Sequence, residues 1–178
     1  MKVQIVDYDP QWPRAFSEEE VRLNTALEGS GQTIEHIGST AVPALAAKPI
    51  IDIMIGLRSF ESADPLVPSI CKLGYTYVPQ HEEVMPYRRF FKRLSQERAT
   101  HHIHMVRQGG QFWNRHLLFR DYLRTHTDVA MQYADLKKSL AQRDWKDGNE
   151  YASPKGAFID EALRQASGRD LAAEPETD

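Results

Sequence analysis

Disulfide chemistry is closed to this chain, because Cys71 is its single cysteine. Neither a disulfide framework nor a cysteine zinc site can form within it, and a lone thiol fits core filling in a reducing compartment. No apolar run approaches the ~20 residues that cross a bilayer. The opening MKVQIVDYDP lacks the basic-then-apolar layout of an export signal. A cytoplasmic protein with no membrane partner is therefore expected. A net charge of -3 offers no general attraction for polyanions, which argues against nucleic acid as the partner. Internal repeats and low-complexity tracts are also missing. What is left is a globular chain of 178 residues, ordinary in composition. A chain of that size buries about 70% of its unfolded surface.

The most informative stretch is IEHIGSTAVPALAAKPIIDIMIGL, residues 34–57. A short apolar run breaks at Gly38-Ser39-Thr40, a small-residue segment with Pro43 follows, and a longer apolar run carries one charge, Asp52. A carboxylate in such a strand costs several kcal/mol unless something pairs with it. Gly38 permits a backbone conformation closed to other residues and a close ligand approach. Ser39 or Thr40 can cap a short helix with Pro43 in its first turn, and a helix N-terminus suits phosphate. The segment reads as strand, phosphate-facing turn, short helix, strand with an acid. Either Glu35 or His36 must face the same side as Asp52.

The rest of the chain frames this segment. Val3, Ile5 and Asp7 alternate as in a short strand, and residues 14–27 fit a helix with Phe16, Leu23 and Leu27 on one face. Residues 65–73 read as a helix capped by Asp64 and stopped by Gly74. Strands are expected over 75–78, 88–94 and 99–106, with a polar loop at 81–86 and a turn at Gln96-Glu97-Arg98. Helical spacing then takes over. One helix covers 112–124, and a second, capped at Thr127-Asp128, runs to about Arg143. A loop follows at 146–149, and a third helix runs from Ser153-Pro154 to about Ala166. The expected organisation is an α+β core over 1–110, a helical bundle over 111–167 packed on a mixed β-sheet, and a frayed acidic tail over 168–178.

His102 and His104 share one face of their strand, with Ile103 on the other, so both imidazoles can meet one metal ion or phosphate. Basic residues are scattered: Lys48, Arg88, Arg89, Lys92, Arg120, Arg124, Lys137 and Lys155. Arg120 and Lys137 project from helices beside aromatic Phe119 and Tyr133. Arg120 can serve phosphate or form an ion pair with Asp121 or Glu150. Glu82 and Glu83 lie in the polar loop as spare acids.

Residues 34–53 resemble the signature of the GrpB family, a branch of the nucleotidyltransferase superfamily. The likeness extends to Tyr8-Asp9-Pro10 with Trp12-Pro13, to His102 and His104, to the run Phe119-Arg120-Asp121-Tyr122-Leu123-Arg124, and to Tyr133 with Lys137. It implies a nucleotidyltransferase-like α+β fold: a mixed β-sheet flanked by helices. It also implies a phosphate grip by Gly38, Ser39, Thr40, Lys48, Arg120 and Lys137. Asp52 with His102 and His104 would form a catalytic and metal-binding group holding Mg²⁺ or Mn²⁺. The partner implied is a nucleoside triphosphate or another phosphorylated small molecule, and the reaction is metal-dependent transfer of a nucleotide to an acceptor. The superfamily pattern has a second acid two residues after the first, where this chain has Met54 after Asp52. The resemblance therefore also admits a non-catalytic nucleotide- or phosphate-binding accessory domain, as in fusions to dephospho-CoA kinase.

Overall fold

One strand carries two opposed patterns. Along β2 (Ile51–Leu57), Ile51, Ile53, Ile55 and Leu57 take one face, and Asp52, Met54 and Gly56 take the other. The computed structural model describes residues 2–146 and 148–168. β1 (Thr33–Ile37), β2, β3 (Thr76–Tyr77), β4 (Arg88–Ser95) and β5 (Arg98–Arg107) form a sheet in the order β1-β2-β5-β4-β3. β2 and β5 run parallel, and every other neighbouring pair is antiparallel. This is the mixed sheet of the expected α+β class.

The aliphatic face of β2 packs against α1 (Trp12–Ala26) and α2 (Ala63–Lys72), where Trp12, Leu23, Leu27 and Ile70 meet Ile53, Ile55, Phe91 and Ile103. The opposite face is partly covered by α3 (Gln111–Thr125), whose Trp113 packs with Ile37, Met54 and Val106. Gly56 makes that docking possible, because a Cβ there would come within 2.4 Å of the Trp113 ring. α4 (Thr127–Ala141), α5 (Gly148–Ala152) and α6 (Gly156–Ser167) complete the described chain. A second core ties Leu123, Ala130 and Tyr133, with Phe158 and Ile159 of α6, to Val42 and Leu45 between β1 and β2. This contact fixes the C-terminal helices against the segment that holds Ser39.

Several local expectations are corrected. The strand expected over Val3, Ile5 and Asp7 reduces to a single bridge, Val6 with Ala47, because Val3 packs instead with Leu140, Trp145 and Tyr151. The helix expected after Gly38 is one 3₁₀ turn, Ser39–Ala41, with no side-chain cap, and Pro43 lies beyond it. Asp64 sits inside the first turn of α2, which starts earlier because a 3₁₀ turn, Phe60–Ser62, leads into it. The polar loop contains a 3₁₀ helix, Pro79–Glu83. Helix α4 follows His126 without a side-chain cap, so Thr127 is helical rather than capping. Ser153–Lys155 is a 3₁₀ turn ahead of α6, so Ser153 is not the cap of that helix. The expected loop at 146–149 is cut short by α5, which starts at Gly148. The tail beyond Gly168 lies outside the described residues. The β4–β5 turn is as expected, with Gln96 and Glu97 both in the left-handed region at φ 48° and 64°. Among the described residues no helix is long and apolar enough to cross a membrane.

The fit of Gly56 under Trp113 gives a direct test of this packing. Gly56→Ala is expected to destabilise the protein by about 1–3 kcal/mol, since an added methyl in a filled core forces the ring to move. Urea unfolding of the two proteins measures the difference.

Candidate functional site

The site is built where β1 turns into the 3₁₀ helix. Gly38 has φ 72°, which favours glycine, and a Cβ there would meet Asp52 Oδ2 at 2.5 Å. Ile37 pairs with Asp52 across β1 and β2, so the turn closes directly over the carboxylate. Thr40 holds the turn from behind: its hydroxyl donates to the Ile50 carbonyl and pairs with His36 Nε2 at 3.0 Å. Thr40 is therefore a structural clamp and not part of a phosphate-facing surface. The register also settles the side taken by the two residues before the turn. Glu35 pairs with Met54 on the Asp52 face, whereas His36 pairs with Ile53 and stacks on Phe16. Burial pushes His36 down to about 4, so it is neutral.

Asp52 and the two histidines do come together. Asp52 pairs with His102 and Met54 with His104 across the parallel β2–β5 ladder. His102 Nδ1 lies 3.2 Å from Asp52 Oδ1, and His104 Nε2 lies 3.9 Å from the same oxygen. The Asp52 side chain is 29% exposed, half-buried rather than sealed. Burial raises its affinity for a proton, but the hydrogen bond from His102 and the nearby His104 outweigh this and hold the carboxyl well below the usual range. Burial pushes His104 down in turn. Met54, at the place of the second acid, has 0% exposure and lies in the Trp113 cluster.

Beside Asp52 stands a group of lysines. Lys137 reaches from α4, 3% exposed, and donates to Ser39 Oγ at 2.8 Å and to the Ala46 carbonyl. Tyr133, one turn earlier, places its ring 4.7 Å from the same ammonium. Lys48 and Lys155 lie over the Tyr151 ring at 4.1 and 4.4 Å. Burial, with Lys155 nearby, pushes Lys137 down to about 7. Burial, with Lys48 nearby, pushes Lys155 down to about 8, opposed by Asp52. Lys48 is also lowered by burial and opposed by Asp52. No carboxylate among the described residues pairs with any of the three.

Arg120 does not join this group. Its guanidinium bonds Glu35 at 2.6 Å, Asp121 at 2.8 Å and the His36 carbonyl, and its side chain is 10% exposed. With two carboxylates already bound, it braces α3 to β1. Arg124 likewise donates to the Ala41 carbonyl behind the turn. Glu82 is held by Arg89 and Tyr77, and so does not supply a second acid. Sequence reasoning put Lys155 among scattered basic residues and passed over Tyr151. Both belong to the site only through the packing of α5 and α6, which no local spacing reveals.

The donors can be tested against the divalent ions that the resemblance implies. Among the described residues no group of three His, Cys, Asp or Glu side chains is placed to hold a metal ion. Hard ions such as Mg²⁺ take oxygen ligands, and here one carboxylate faces two imidazoles while Met54 fills the second-acid position. The set does not fit a pair of Mg²⁺ or Mn²⁺ ions.

Sheet order, glycine turn and acid-bearing strand together define a nucleotidyltransferase-like α+β protein. The fold matches that of the Cid1 poly(U) polymerase, with a TM-score of 0.51 at 12% identity, covering 80% of this chain and 44% of that one. The chain belongs to the GrpB family, whose model, described as "GrpB protein", matches residues 2–165. The crystal structure of the conserved protein GrpB from Enterococcus faecalis aligns with a TM-score of 0.81 at 36% identity, covering 92% of this chain and 96% of that one. The UPF0157 protein YqkA of Bacillus subtilis is 42% identical over 165 residues, which are 93% of this chain and 47% of that protein. A dephospho-CoA kinase of Mycolicibacterium paratuberculosis is 31% identical over 92% of this chain and 46% of its own length. The chain thus spans about half the length of these last two relatives.

Gly38→Ala tests the closure of the turn over Asp52. It is expected to cost about 1–3 kcal/mol from positive φ and the clash with the carboxylate. The chemical shift of the Asp52 side chain should move with it, and carboxyl-detected NMR with thermal unfolding reads both.

Proposed function

We propose that this protein binds the phosphate tail of a nucleoside triphosphate, or of another phosphorylated small molecule, between Ser39 and the ammonium groups of Lys48, Lys137 and Lys155. One observation carries the reading: Lys48, Lys137 and Lys155 gather near Ser39 and the Tyr151 ring, and among the described residues Asp52 is the one carboxylate that acts on Lys48 and Lys155. Like charges in such surroundings disfavour one another, and a bound polyanion reverses the sign of the interaction. Ser39 offers a hydroxyl, and the turn after Gly38 lets phosphoryl oxygens approach the backbone closely. Lysines act as point charges and suit a polyphosphate whose oxygens present no fixed fork. A cytoplasmic setting, where nucleoside triphosphates are abundant, goes with this reading. It agrees with an accessory nucleotide- or phosphate-binding role, such as the matched region would have in a dephospho-CoA kinase.

Nucleotidyl transfer is the second reading, favoured by an ionised Asp52 next to the lysine group within a polymerase-like fold. Incubation with the four labelled triphosphates and Mg²⁺ or Mn²⁺ separates the two. Pyrophosphate release or label transfer establishes an enzyme, and a thermal shift without turnover establishes a binder. If no triphosphate shifts the melting temperature, with or without metal, both readings fail.

The lysines also fix the pH dependence. In the unfolded chain a lysine keeps its proton to about pH 10.4, whereas folded Lys137 loses it near 7 and Lys155 near 8. Between those values the unfolded state binds more protons, so the contribution of these groups to the stability of the ligand-free protein rises with pH. Triphosphate binding demands the protonated forms, so affinity is expected to fall by about tenfold or more between roughly pH 7.5 and 9. Calorimetry in buffers of different ionisation enthalpy should show proton uptake on binding. Lys137→Met is expected to weaken triphosphate binding by about tenfold or more while the apo midpoint stays level or rises, because a buried unpaired charge is removed. A fall of both together would mark Lys137 as structural only.

A further inference from the structure

Arg88 opens β4 and is 8% exposed. Among the described residues its hydrogen-bond partners are two imidazoles and no carboxylate. Nη1 reaches His104 Nδ1 at 3.2 Å and Nη2 reaches His81 Nδ1 at 3.2 Å, while Nε is buried without a partner. Phe90 and Phe112 flank the guanidinium at 5.0 and 5.8 Å, and His81 stacks on Phe90.

This arrangement decides where protons sit. A guanidinium donates and never accepts. The His104 nitrogen that faces it must carry a lone pair, so a neutral His104 holds its proton on Nε2, the atom that faces Asp52. A cation bound at Nε2 would force that proton to Nδ1, directly against the Arg88 N–H. For His102 the outcome is the reverse. Asp52 is ionised and accepts only, so the facing Nδ1 of His102 carries the proton and its Nε2 is left with the lone pair. His116, beside His104 at 6.4 Å between ring centres, donates from its Nδ1 to the Phe112 carbonyl, so that atom is not an acceptor for His104.

We propose that Arg88 is a positioning residue that locks His104 in its Nε2–H form, closes it to metal ions, and leaves His102 Nε2 as the lone pair of the cluster that can accept a hydrogen bond. The His102 side chain is 25% exposed, against 14% for His104, so the open nitrogen belongs to the more accessible ring. The inference rests on these side chains and not on the identity of the phosphorylated ligand.

Long-range ¹⁵N–¹H correlation spectra of the full chain at neutral pH read the tautomers directly. His104 is expected as Nε2–H and His102 as Nδ1–H. Zn²⁺ titration by calorimetry then compares the native protein, His104→Ala, Arg88→Met and the double variant. Native affinity should not change on His104→Ala. Arg88→Met should bind Zn²⁺ about tenfold more tightly or better, since removing the facing N–H lets His104 carry its proton on Nδ1 and free Nε2, and the gain should vanish in the double variant. A proton on His104 Nδ1 in the native protein overturns the proposal. So does a tenfold loss of native zinc affinity on His104→Ala, or a folded Arg88→Met with no gain. If Arg88→Met does not fold, the native tautomers and the His104→Ala comparison decide alone.

Discussion

Burial of three lysine ammonium groups near a single carboxylate is the constraint that shapes the candidate site of this molecule. Lys48 comes from the connection between β1 and β2, Lys137 from α4 and Lys155 from the turn before α6. Nothing in their mutual electrostatics would bring them together. Apolar contact does it: Val42 and Leu45 are clamped by Leu123, Ala130 and Tyr133, with Phe158 behind them. Burying several such side chains at about 1.5–3 kcal/mol each exceeds the cost of crowding charges that can shed protons. The lowered proton affinity of Lys137 and Lys155 is the trace of that compromise.

Local pattern carried much of this to the sequence reader. The apolar run of β2, the break at Gly38 and the strand bearing His102 and His104 are local features that the sheet holds, although a 3₁₀ turn stands where a capped short helix was expected. That Asp52 and His102 lie on neighbouring strands came from the family resemblance and not from the pattern, and the β2–β5 ladder pairs them. Long-range packing was less legible. Thr40 and Arg120 have the chemistry to hold phosphate, yet one is spent on Ile50 and His36 and the other on Glu35 and Asp121. Lys155 has the same composition as any surface lysine until α5 and α6 carry it to the Tyr151 ring. Arg88 looked like one cation in a basic strand, because its burial against Phe90 and Phe112 has no counterpart in spacing.

Met54 ties the two halves of the site into one history of packing. It stands on the same face as Asp52 and is sealed with Ile37, Val106 and Trp113. Trp113 reaches that depth because Gly56, two residues further along β2, leaves room for its ring. An acid at position 54 would meet that indole instead of water, with the charge of Asp52 two residues away. It would be held neutral or unfold the local core. Met54 and the docking of α3 are thus one packing solution. Ser39 and the lysine group are held by a different core. The packing around Met54 and the contacts that gather the lysines are therefore separate. A change that disturbs the Trp113 core need not disturb the contact of Lys137 with Ser39, because the two are held by different side chains.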